Sequence, residues 1–241
     1  MNKLALLLLG AALLLRAPAR AQDIGPALNM NLMTGWTGNA AVTYDLEKRA
    51  AAAKGGRSTP AASSAASFAY RSTPSTRARA VEQLTGRVQG SNPQLAQALT
   101  TAFGPGRADF ETTYAGILSG TGLRSANAAD AMAAYLLMGY AIVHNVQDEK
   151  AITPALAKGV RQQVQGILAG NPRLKPNDPV AAAQLGEEMK LQTVVLQAGW
   201  QSALKENRLA AFQQQTGQLF KTSYGLDLSA LKLTAQGFAK R

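Results

Sequence analysis

The chain has 241 residues, no cysteine, a single histidine and a formal net charge of +11. The missing cysteines exclude disulfides, thiol catalysis and thiolate metal sites, and one histidine excludes a multi-histidine zinc centre. A chain of this length can bury a sufficient core without such staples, and its basic excess suits an anionic membrane surface, a wall polymer, acidic proteins or simply solubility.

Residues 1–21 read as a signal peptide. Lys3 supplies a short basic start, and Leu4–Leu15 is an apolar run. That run is shorter than the ~20 residues of a stable span. Ala19 and Ala21 form the small-x-small pattern of a cleavage site, which predicts a cut between Ala21 and Gln22. Lys3, Arg16 and Arg20 leave with the leader and no acid does, so the exported chain keeps +8 of the +11. An exported protein is expected to meet an envelope component or another exported protein rather than nucleic acid, in the periplasm or outside the cell.

Residues 22–49 are punctuated by Gly and Asn, with scattered large apolar residues such as Trp36 and Tyr44. They predict an irregular, partly disordered segment. Residues 50–75 predict a basic linker of low complexity, rich in Ala and Ser, which cannot bury enough surface to offset its ordering entropy. The tetrapeptide Arg-Ser-Thr-Pro occurs in it twice, at 57–60 and 71–74. Arg49, Lys54, Arg57, Arg71, Arg77 and Arg79 make the stretch 49–79 a candidate for peripheral binding to an anionic membrane surface. The plainer reading of the same charges is a solvated tail.

From residue 76 to 241 the pattern turns helical. A first helix is expected at about 76–89, with Val81, Leu84 and Val88 on one face. Ser91-Asn92-Pro93 opens the next, which stops at Gly104-Pro105. A third, about 107–119, aligns Phe110, Tyr114, Ile117 and Leu118. Residues 128–146 are apolar on all sides, and the run from Ala131 to Gln147 is uncharged, bracketed by Asp130 and Asp148. With no aromatic or basic belt and much alanine, this stretch reads as a central buried helix rather than a membrane span. Gly139 and the alanines would let partner helices approach closely. Thr153-Pro154, Asp178-Pro179 and residue 208 open three more helices, the second reaching about Glu206 and the last ending at Gly225. The fold class is therefore all-α, about seven helices around residues 128–146. The tail from 226 alternates too briefly to assign.

Chemistry-bearing groups are few. His144 lacks the acid at 141 that a bundle di-iron motif needs, and no G-x-S-x-G context supports a triad. Its plain reading is a ring interacting with helix-end carbonyls. Gly120-Thr121-Gly122 follows a helix rather than a strand and lacks a third glycine, which argues against a dinucleotide loop. Glu187 and Glu188 are adjacent, point apart, and are expected to solvate their helix. Glu111 is the one candidate catalytic acid. It lies among Phe110, Tyr114 and a Gly-rich loop, as a general acid of a glycan-cleaving enzyme would. Periplasmic lytic transglycosylases use such a glutamate. They follow it with Ser and a Gly-Leu-Met-Gln run, however, where this chain has Thr112 and Gly122-Leu123-Arg124-Ser125. A glutamate in the first turn of a helix also suits the helix dipole alone. If the domain holds a ligand pocket, Tyr135, Tyr140 and His144 are its candidates, each of which could equally be core. No cofactor and no metal is expected.

Three segments, Tyr70–Arg77 (YRSTPSTR), Asn127–Tyr135 (NAADAMAAY) and Leu231–Phe238 (LKLTAQGF), resemble a family of uncharacterised bacterial exported proteins. The resemblance covers about residues 66–238, leaving the Ala/Ser linker outside it. It implies an exported helical domain and supplies no activity and no functional residue. The expectation is a non-enzymatic binding or structural module, with glycan cleavage through Glu111 and membrane binding through 49–79 as alternatives.

Overall fold

The computed structural model describes residues 68–171 and 177–241, and the predicted leader, the segment 22–49 and the linker up to 67 lie outside the described residues. Seven α-helices follow in order: α1 (Pro74–Val88), α2 (Pro93–Phe103), α3 (Phe110–Ile117), α4 (Ala128–Val143), α5 (Pro154–Ala169), α6 (Pro179–Lys205) and α7 (Leu209–Tyr224). A two-stranded antiparallel hairpin closes the chain, β1 (Leu231–Thr234) with β2 (Gly237–Lys240). The tail is therefore a hairpin appended to a helical domain.

Caps set the helix starts. Thr73 and Thr76 make a reciprocal capping box ahead of Pro74. Asn92, Asp109, Asn127, Thr153 and Asp178 each accept a backbone N–H of the first turn. The Asp109 cap makes α3 shorter than the expected 107–119. Helix α4 also ends early, at Val143 rather than 146. Asn145 turns left-handed (φ 53°) and Val146 N–H reaches back to Ala141 O at 2.8 Å, which terminates the helix.

Helix α4 is the centre of the core, with every residue buried except Tyr140 and Val143. It packs on α5, α6 and α7. No helix among the described residues is long and apolar enough to cross a membrane. Gly139 gives the close approach its position suggested: a Cβ there would overlap the Phe220 ring of α7. The 27-residue α6, about 40 Å long, runs beside α4 and also touches α1, α3 and α7.

Packing begins upstream of residue 76. Phe68 and Tyr70 are buried. Phe68 O accepts from Ala128 N–H at 2.9 Å and Tyr70 N–H donates to Ala126 O at 3.2 Å, which straps residues 68–70 across the start of α4.

The hairpin rests on α5. Gln163 fixes its outer edge by donating to Phe238 O (3.2 Å) and accepting from Phe238 N–H (2.9 Å). Gly159 lets the backbones meet, since a Cβ there would lie 2.6 Å from Gly237 N. Backbone cannot swing aside as a side chain can. Gly159→Ala is expected to cost about 1–3 kcal/mol, read by urea unfolding, with the loss concentrated in hydrogen-exchange protection of β1 and β2. Unchanged hairpin protection would contradict this packing.

Candidate functional site

Four charged side chains among the described residues are buried, and three of them, Glu187, Glu188 and Lys190, lie on α6. Glu187 and Glu188 do not solvate their helix. Both are buried, because α1, α3 and α4 enclose this level of α6 and leave it no water-facing side. Lys190, three residues on, has a side-chain exposure of 0%. Its Nζ lies 2.7 Å from Glu111 Oε2, 3.3 Å from Glu187 and 3.5 Å from Ser72 Oγ. The rings of Tyr70 and Tyr114 stand 5.4 and 5.7 Å from the same ammonium, within cation–π range. A buried ammonium is tolerated only when such partners replace its water.

Glu111 sits in the first turn of α3, as its sequence position implies. Its second oxygen accepts from the Ser125 hydroxyl. One carboxylate thus joins α3, α6 and the loop before α4. Its side chain keeps 27% exposure. The Tyr114 hydroxyl is buried beside this cluster with no hydrogen-bond partner among the described residues. Burial pushes the hydroxyls of Tyr70 and Tyr114 well above their ordinary range, so both stay neutral.

A second buried pair joins α1 to α6: Arg87 meets Glu188 at 2.5 Å, and Gln192 donates to the same oxygen at 2.9 Å. Burial raises the carboxyls of both Glu187 and Glu188. For Glu187 the Ser72 and Lys190 contacts oppose the rise, and for Glu188 Arg87 and Gln192 do. A carboxyl raised by folding binds its proton more tightly in the native state. Its favourable contribution is complete below about pH 4.5, where the unfolded group titrates, and is lost as pH climbs through the raised native value. Glu188→Gln is therefore expected to flatten the fall in stability between pH 4.5 and 7, measured by urea unfolding at each pH. An equally steep fall in the variant would contradict the assignment.

Asp130, fully buried in the first turn of α4, binds the loop before it. It accepts from Arg124 N–H (2.8 Å) and Arg124 Nε (2.9 Å), and Arg161 Nε of α5 lies 2.6 Å from its other oxygen. The Gly120-Thr121-Gly122 segment is the turn that makes this possible. Gly120 and Gly122 hold φ of 81° and 73°, and Thr121 Oγ1 accepts from Leu123 N–H. Its glycines bend the chain back to Asp130.

Tyr135, Tyr140 and His144 do not share one pocket. Tyr135 is fully buried against Phe220 and Tyr224 of α7, with ring centroids 5.0 and 5.9 Å away. Tyr140 and His144 pack ring against ring, tilted at 39° with centroids 4.2 Å apart, near the hairpin, where Tyr140 also meets Phe238 at 5.5 Å. The His144 ring reaches a carbonyl of the C-terminal segment rather than of its own helix end. Arg241 Nη2, which can only donate, lies 2.9 Å from Nδ1, so Nε2–H donates to Leu228 O at 2.9 Å. Both ring nitrogens thus tie α4 to the C-terminal segment. Among the described residues no group of three or more His, Asp or Glu could hold a metal ion. Of the basic stretch 49–79, Arg77 is paired with Asp109 at 2.7 Å and with Ser72, while Arg71 and Arg79 are exposed.

Residues 4–241 match a family of unknown function (DUF6683). The chain belongs to that family. The match extends through the Ala/Ser-rich stretch that the resemblance leaves out, and the family description assigns no activity. No curated protein and no solved structure matches the chain.

Proposed function

We propose that the chain is an exported helical domain that works by binding, as a structural or ligand-holding module of a bacterial envelope. The observation that carries the non-enzymatic part is the position of Glu111. Both its oxygens are engaged, one by Lys190 and one by Ser125, so its carboxylate works as a joint between three elements. Export rests on sequence: Lys3, the apolar run Leu4–Leu15, and the Ala19-x-Ala21 site. The test is to express the full chain in a bacterial host, fractionate the cells and read the N-terminus of the product. A chain beginning at Gln22 in the periplasmic or external fraction is expected, and an intact Met1 form confined to the cytoplasm would contradict export. Co-sedimentation of that product with isolated cell envelopes reads the binding part.

One observation favours a second reading. The 27% exposure of Glu111 gives water and a substrate some access to its carboxylate. Glycan cleavage through Glu111 therefore stands as the rival. For the third reading, membrane attachment through residues 49–79, liposome binding that survives deletion of that segment would be the contrary result.

A further inference from the structure

We propose that Arg124 and Arg161 form a fork for an oxyanion, taking a phosphate or carboxylate group of a ligand. The proposal deepens the binding-module reading and rests on it, though it uses none of the residues around Lys190. Arg124 alone satisfies Asp130 with a backbone N–H at 2.8 Å, Nε at 2.9 Å and Nη2 at 3.5 Å. Arg161 then adds a second positive charge to a carboxylate that needs only one. Its Nε reaches Oδ1 at 2.6 Å without its N–H pointing along the contact, so it is a Coulombic neighbour rather than a further hydrogen bond. The three groups together carry a net charge of about +1. Lys158, exposed one turn earlier on α5, adds to the same sign.

The donor ends face outward. Asp130 is fully buried, whereas the Arg124 and Arg161 side chains keep 56% and 27% exposure. Neither Nη1 of Arg124 nor either Nη of Arg161 has a partner among the described residues. The Nη groups of Arg161 are not buried orphans either, and the Arg124 side chain keeps 56% exposure, so donors on both side chains reach solvent. Two planar guanidinium groups are thus held side by side on one carboxylate, one at each of its oxygens. Guanidinium donors of this kind match the oxygens of phosphate and carboxylate. Glu111 of α3, which touches the loop through Ser125, is already engaged by Lys190 and Ser125 and does not compete.

The test is titration of the chain, as purified from its producing cells, with inorganic phosphate and separately with acetate. Both series hold ionic strength constant with chloride and are followed by NMR shifts. Saturable binding of at least one anion is expected, and which one saturates separates a phosphate-bearing from a carboxylate-bearing ligand. Arg161→Gln should weaken it at least tenfold, while Arg208→Gln, an arginine paired with Glu206 elsewhere, should leave it unchanged. Arg161→Lys keeps the charge beside Asp130 but not the fork, so it decides the matter if Arg161→Gln fails to fold, and weaker binding is expected there too. Saturation by neither anion, or wild-type affinity in both Arg161 variants, would overturn the proposal. Envelope co-sedimentation that persists in those variants would leave the wider binding reading standing.

Discussion

Lys190→Met is expected to be among the most damaging single substitutions in the domain, at about 3–5 kcal/mol of unfolding free energy. Methionine fills much of the same space, so packing is a minor part of the loss. The larger part is electrostatic. Glu187 is buried with Lys190 as its cation at 3.3 Å, and Glu111 takes the same ammonium at 2.7 Å. Without it two carboxylates face each other, Ser72 and the rings of Tyr70 and Tyr114, with Glu187 buried and only Glu111 partly open to water. The double variant Lys190→Met/Glu187→Gln should recover part of the loss, because it removes the acid left stranded. Equilibrium urea unfolding of the three proteins reads the coupling. A loss below about 1 kcal/mol for Lys190→Met would mean that the cluster is not ionic.

Tyr135→Ala should cost a comparable about 3–5 kcal/mol, as truncation of a large buried ring does. The ring packs on Phe220 and Tyr224 and lies at the contact between α4 and α7. Removing it opens a cavity that the crowded neighbours cannot collapse into. Tyr135→Phe, which keeps the ring and drops the hydroxyl beside Tyr224, should cost only about 1 kcal/mol. If Tyr135→Ala instead unfolded like wild type but lost envelope binding, the tyrosine would be a ligand residue after all.

The helices were legible because their ends are written in local chemistry. Asn92-Pro93, Thr153-Pro154 and Asp178-Pro179 each pair a capping side chain with a proline at the first turn, whereas the Thr73-Pro74 start lies inside the stretch expected to be linker. The central helix was legible because alanine, methionine and leucine surround it on every side. The hairpin was not, because two four-residue strands are held by a distant helix, through Gln163 and Gly159, rather than by their own alternation. The charge cluster was missed for a similar reason. Sequence spacing places Glu187 and Glu188 on a helix, but only the third dimension brings Glu111, 79 residues before Lys190, to its ammonium. One signal was available. Glu187 and Lys190 stand at i and i+3 in a helix otherwise apolar on several faces, and a helix without a polar face must bury whatever charge it carries. Glu111 was singled out for its aromatic setting, and the lysine that answers its charge lay outside that argument.

The account stands or falls on whether Glu111 is a joint or an acid catalyst. The most direct measurement incubates the purified protein and its Glu111→Gln variant with peptidoglycan and assays the supernatant for released fragments, with urea unfolding of both proteins alongside. The account predicts no fragments from either protein and a lower stability for the variant, since Lys190 loses its charged partner at 2.7 Å. Fragments released by the wild type and abolished in an equally stable Glu111→Gln would contradict it, and would make the carboxylate catalytic.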